Sequence, residues 1–160
     1  MKSRLPCLFA LTFIAGPLGA EFLSVEQSVS GLDCISCAQS VDKALKKIKG
    51  VETASFRTQD ATAVLALKPG NTVPLKEVRD ALKRIGYTPG AAKVTARGQA
   101  RMEGGRWFFR VAGADTDYPM DVDADLAGQL RGTVGTVAIV EGSLAEPSAP
   151  LKLRAVRRGE

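Results

Sequence analysis

The sequence contains no histidine. That removes Ser-His-Asp and Cys-His catalysis, every His metal site and any His-based pH switch. A metal site in this chain must draw on Cys, Asp, Glu or backbone oxygen. Cysteine is scarce: there are three, and only Cys34 and Cys37 lie beyond the first twenty residues. Met102 and Met120 are too few for a Met-rich copper site. The glycine-rich stretches lack the Lys and the spacing of a phosphate-binding loop. No nucleophile or general base stands out, so no catalytic activity is expected. The formal net charge of +5 is spread along the chain and does not by itself imply nucleic acid.

What is present first is an N-terminal segment of the signal-peptide type. Lys2 and Arg4 precede an apolar stretch, Leu5 to Ala15, too short to span a bilayer. Gly16-Pro17-Leu18-Gly19-Ala20 ends in small residues, which places a cleavage point after Ala20. Leu18 is not ideal there, and a retained anchor is the alternative. Residues 1–20 are therefore expected to be removed, Cys7 with them. The expected location is periplasmic or secreted, with contact to a membrane only through a partner. Such a compartment is oxidising, which bears on Cys34 and Cys37.

The remaining length suits one ordinary domain or two small ones. Phe22 to Ser30 alternates as a strand does. Ala38, Val41, Ala44, Leu45 and Ile48 follow at helical spacing, with Lys43, Lys46, Lys47 and Lys49 on the far face and in the last turn. Gly50 stops that helix. Residues 51–58 and 61–67 read as a hairpin turning at Gln59-Asp60. A second helix starts at Pro74, with Leu75, Val78, Ala81, Leu82 and Ile85 on one face. A strand over 91–96 then completes a split βαβ, ferredoxin-like βαββαβ order over residues 21–96. The fold class expected is α+β. Both helices would cover one face of a four-stranded antiparallel sheet.

Residues 97–160 differ. Strand-like runs at 106–111, 133–140 and 151–156 alternate with glycines, and a short helix fits 124–130. This pattern suggests a second, mostly-β domain of unknown task, such as a small OB-like barrel. Arg106-Trp107-Phe108-Phe109-Arg110 mixes aromatic and basic residues as single-strand binders do, but a buried strand with flanking charges explains it better. Asp115, Asp117, Asp121, Asp123 and Asp125 form an acidic cluster. The sixth residue from Asp115 is Met120 and the twelfth from Asp121 is Gly132, so no EF-hand frame fits. A solvated loop or strand face is the expectation.

Gly31-Leu32-Asp33-Cys34-Ile35-Ser36-Cys37 lies where the first strand passes into the first helix. Cys37 falls on the first helical turn and Cys34 in the loop before it. Helix N-terminal N–H groups stabilise anions, so both thiols should ionise more readily. Two thiolates at this spacing can hold one soft or borderline metal ion and yield it to a partner's thiols. The same pair could serve as a thiol-disulfide redox centre. It could also rest as a structural disulfide in a scaffold or interaction protein. A redox protein would ordinarily show a thioredoxin-like order, which the hairpin between the two helices argues against.

This motif, with Val41, Ala44-Leu45, Gly50-Val51 and Ile85-Gly86-Tyr87, resembles the heavy-metal-associated domain. That family includes copper chaperones, N-terminal domains of metal-transporting P-type ATPases and periplasmic mercury-binding proteins. The resemblance covers residues 22–96 and is silent on the rest. It implies that Cys34 and Cys37 bind one heavy-metal ion, and that Tyr87 packs beside the site. Leu32 stands where the family usually has Met, and fills a similar volume. Asp33 stands where copper-type members have a neutral residue. In this it resembles the zinc, cadmium and lead exporters, whose carboxylate joins the two cysteines. Zn(II) accepts carboxylate oxygen and wants four ligands, whereas Cu(I) is content with two thiolates. Asp33 thus favours Zn(II), Cd(II) or Pb(II) over Cu(I) or Hg(II); its other role would be a helix N-cap. The partner implied is a metal transporter or other metal-handling protein. Lys43, Lys46 and Lys47 could steer an acidic partner, or form a solvated face.

Overall fold

The computed structural model describes residues 21–31, 35–111, 117–146 and 148–159, with backbone only at 35–37. The order is β1 (Glu21–Ser30), α1 (Ile35–Lys46), β2 (Val51–Arg57), β3 (Thr62–Leu67), α2 (Leu75–Arg84) and β4 (Thr88–Glu103). It continues with β5 (Arg106–Arg110), β6 (Asp117–Asp121), α3 (Ala124–Arg131), β7 (Ala138–Leu144) and β8 (Leu151–Arg158).

The first four strands lie in the order β2-β3-β1-β4, all antiparallel neighbours. That order is the split βαβ arrangement read from the sequence. Alternation along β1 sends Val25, Gln27 and Val29 to the buried face and leaves Ser24, Glu26 and Ser28 half-exposed on the other. Val41 and Leu45 of α1 and Leu75, Val78, Ala81 and Leu82 of α2 are buried with them. The spacing of these side chains is the helical period, so each helix gives the sheet one apolar stripe.

β4 is longer than the strand expected over 91–96. It runs unbroken through the point where the sequence changes character, between residues 96 and 97. Residues 88–97 pair with β1, and residues 99–103 then pair with β5. Between these partners sits Gly98. A β-carbon there would lie 2.1 Å from the Arg110 carbonyl oxygen and 2.8 Å from the Phe109 ring. Only a residue without a side chain lets β5 approach so closely. On its far edge β4 pairs with β7 over residues 92–98. The ring β4-β5-β6-β8-β7 then returns to β4, so residues from 88 onward form a five-stranded barrel with α3 between β6 and β7. The molecule is mixed α and β, as expected, but its two parts share a strand.

One tail reading is corrected. The strand read over 133–140 begins only at Ala138. The hydroxyls of Thr133 and Thr136 instead donate to the carbonyls of Leu130 and Thr133, at 2.8 Å each, and hold a turn after α3. Local side-chain bonding of this kind outweighs β-propensity. Conversely, β6 has no strand signature, with Pro119 and two aspartates in five residues. It forms because β5 pairs with it and because Arg101 and Arg110 both bind Asp117.

Side chains brace the first part and tie it to the second. Phe22 of β1 meets Tyr118 of β6 edge to face, centroids 6.0 Å apart. The buried Glu21 carboxylate accepts from Arg97 at 3.1 Å and from the Gly70 N–H. Arg79 of α2, 4% exposed, donates from Nε to Gln27 Oε1 at 3.1 Å. Burial lowers the Arg79 pKa, opposed by the phenol of Tyr118; burial likewise raises the Tyr118 pKa, opposed by Arg79. Each therefore lies in the other's field across the junction. Among the described residues no helix is long and apolar enough to cross a membrane.

Candidate metal centre

The site is framed by β1, α1 and the turn after α2. β1 ends at exposed Ser30, whose Oγ donates to the Thr88 carbonyl at 3.3 Å. Gly31 then leaves the strand with φ of +91°, a backbone that favours glycine. Four residues later α1 begins at Ile35. Cys37 is the third residue of that helix. The N–H groups of a first helical turn lack intrahelical partners and carry the positive end of the dipole. No acidic residue occupies that turn.

Asp33 and Cys34 fall outside the described residues, as does the side chain of Cys37 and the whole of Leu32. What the structure places is the frame on either side of them. Tyr87 is half-buried, and a β-carbon built on Gly31 would lie 4.0 Å from its Cδ1. The tyrosine thus stands beside Gly31, where the chain leaves β1. Its backbone N–H is held by the Leu82 carbonyl at 3.1 Å, which closes the end of α2. Lys43 and Lys46 lie in the last turn of α1 and are exposed. They sit at the end of the helix opposite Cys37.

The acidic cluster is not a second centre among the described residues. Asp117 is occupied by Arg101 and Arg110, and Asp121, Asp123 and Asp125 are exposed. No three acidic or cysteine side chains converge there, and Asp115 lies outside the described residues. Trp107 and Phe109 are buried, with Arg106 and Arg110 exposed beside them. Phe108 carries Arg101 over its ring, 5.6 Å from the centroid. The aromatic-basic run is therefore a barrel strand with flanking charges. Sequence reasoning passed over Gly98, whose signal was only a glycine inside an alternating run.

Residues 27–88 match the heavy-metal-associated domain, so the chain carries a domain of that family. The match starts within β1 and ends at the first residue of β4. Among solved structures, the CopZ metallochaperone is 24% identical, with 41% of this chain and 97% of that one covered and a TM-score of 0.39. The N-terminal domain of a potential copper-translocating P-type ATPase from Bacillus subtilis is 25% identical, covering 42% and 84%, TM-score 0.39. Oxidized MerP from Ralstonia metallidurans CH34 is 22% identical, covering 44% and 94%, TM-score 0.38. No curated protein matches the chain.

Proposed function

We propose that this chain is an exported heavy-metal carrier. One ion would bind to Cys34 and Cys37, with Asp33 as third ligand, and pass to a metal transporter or metal-handling partner. The observation that carries this reading is the position of the Cys-x-x-Cys pair within the heavy-metal-associated match, with Cys37 in the first turn of α1. The ion is cargo. It would leave by ligand exchange: an incoming thiolate or carboxylate replaces one of the three ligands, so the ion is never free. Asp33 favours a divalent ion, Zn(II), Cd(II) or Pb(II), because its charge and hard oxygen suit a higher coordination number. Cu(I) and Hg(II) need only the two thiolates. The periplasm is the compartment proposed, on the N-terminal segment alone. The barrel, read as OB-like from its helix before the fourth barrel strand and its parallel β6–β8 closure, would hold the metal domain against a partner.

The test is anaerobic titration of the reduced protein with Zn(II) and Cu(I) against chelators of known strength, beside Asp33→Ala. One-to-one Zn(II) binding that the substitution weakens by roughly tenfold or more is expected, as for loss of one ligand. A Cu(I) preference indifferent to Asp33 would make the ion monovalent and the aspartate a helix cap. Disulfide exchange without tight binding of either ion would replace the carrier by a redox module.

A further inference from the structure

A cleft of about 770 Å³ opens at one end of the barrel, between the β4–β5 turn, the end of β6 and the loop from β7 into β8. Its floor is Trp107, which is 8% exposed, and Met120, which faces it across the β5–β6 pair. Val122 and Pro150 extend this apolar floor to the walls. Exposed Arg106 and Lys152 stand on the rim, and neither reaches a carboxylate within ion-pair distance among the described residues. Asp121 is the acidic residue of the lining and lies beside Lys152 in the parallel register, without an ion pair.

The shape and charge select among occupants. Of the lining residues only Trp107 is buried, so the cleft is open along its length. Small-molecule sites enclose most of their ligand, typically ~70–90% of its surface. An open cleft of this size suits a length of chain instead. Single-stranded nucleic acid needs exposed aromatic faces on which bases stack. Trp107 and Phe109 are buried, and two rim cations make a weak phosphate track. An apolar floor between two cations calls for an apolar side chain flanked by carboxylates. The β6–β8 pairing beside it is only two residues long, so few backbone hydrogen bonds close the sheet at this end.

We propose that this cleft docks a partner protein through an extended acidic segment, with an apolar side chain seated over Trp107 and Met120. The proposal needs no metal and stands apart from the carrier reading. The test uses the full chain and a short fluorescent peptide of alternating Leu and Glu, read by anisotropy. The same peptide with Lys for Glu, and an oligothymidylate of matching length, run in parallel. The acidic peptide is expected to bind and the other two are not. Arg106→Glu with Lys152→Glu should weaken the acidic peptide by about tenfold or more, since reversing two rim charges turns attraction into repulsion. Both positions are exposed, so the fold should persist, as circular dichroism would verify. Met120→Asp should weaken binding as well. Absence of acidic-peptide binding, binding unchanged in the double variant, or oligothymidylate binding that the double variant abolishes would each overturn the proposal.

Discussion

The two parts of this molecule reach stability by different routes. In residues 21–97 two amphipathic helices cover one face of the sheet, and the apolar period along each element reports which face is inside. In residues 88–159 a ring of strands closes on itself through β4 and β7, and one eight-residue helix adds a single fully buried side chain, Leu130. The helices of the first part announce themselves locally, although its sheet also joins distant segments, β1 with β4. The second offers little helical signal and rests on pairings such as β4 with β7. The comparison teaches where a boundary can be misleading, because β4 belongs to both parts and cannot fold fully with one alone.

Gly98 is the sharpest place to break that sharing. Gly98→Val would drive side-chain atoms into the Arg110 carbonyl, and a loss on the order of 4 kcal/mol or outright misfolding is expected. Urea denaturation followed by tryptophan fluorescence would read the barrel, because Trp107 is the single tryptophan. Far-ultraviolet circular dichroism would read the helices of the other part. Loss of the fluorescence transition with the helical one unmoved would show that the parts are separable after all.

Core truncations ask the same question more gently. Leu82→Ala in α2 and Leu153→Ala in β8 remove fully buried side chains, each expected to cost ~2–5 kcal/mol. If the shared strand makes one cooperative unit, both lower one common transition in calorimetry. Two transitions, each moved by one substitution, would divide the chain. Arg97→Met comes next. It leaves the buried Glu21 carboxylate with the Gly70 N–H but without its cation. Because Arg97 is about a third exposed, a loss of about 2 kcal/mol is expected, below that of a fully buried pair.

The smallest effect belongs to Asp117, inside the barrel alone. The Arg110 hydrogen bond, aided by the charges of Arg101 and Arg110, holds its carboxyl below the usual carboxylate range. Its contribution is therefore complete above the unfolded value, about 3.9, and is lost as pH falls through the lower folded value. Asp117→Asn should lower the melting temperature slightly at neutral pH, since both arginines are exposed, and the difference from the unsubstituted chain should vanish as pH falls below about 4, which flattens the acid limb. An unchanged acid limb would remove the ion pairs from the account of β6.

Legibility followed the same division. Helices α1 and α2 and the hairpin between them could be read because Val41, Leu45, Val78 and Leu82 repeat at a period that only a helix satisfies. The cysteine pair stood out by residue type and spacing alone, and its ligand role rests on the proposal above. Strand β6 could not, because nothing in Asp-Tyr-Pro-Met-Asp favours a strand until β5 and two arginines surround it. The turn at Thr133–Thr136 was misread for the converse reason: its β-branched residues suit a strand, and hydroxyl bonds to nearby carbonyls decide otherwise. The closeness of Tyr87 to Gly31 was implied only by family resemblance, since the two are far apart in the chain.

The sequence by itself determined the local elements of the first part and the two-residue spacing of Cys34 and Cys37. Periodicity, capping chemistry and ligand type act over a few residues and need no distant partner. Only the tertiary structure decided that β4 continues into a barrel, that Gly98 must lack a side chain, and that Trp107 and Met120 floor an open cleft. Each of these depends on two segments meeting, and the free energy of such a meeting is written in neither segment alone.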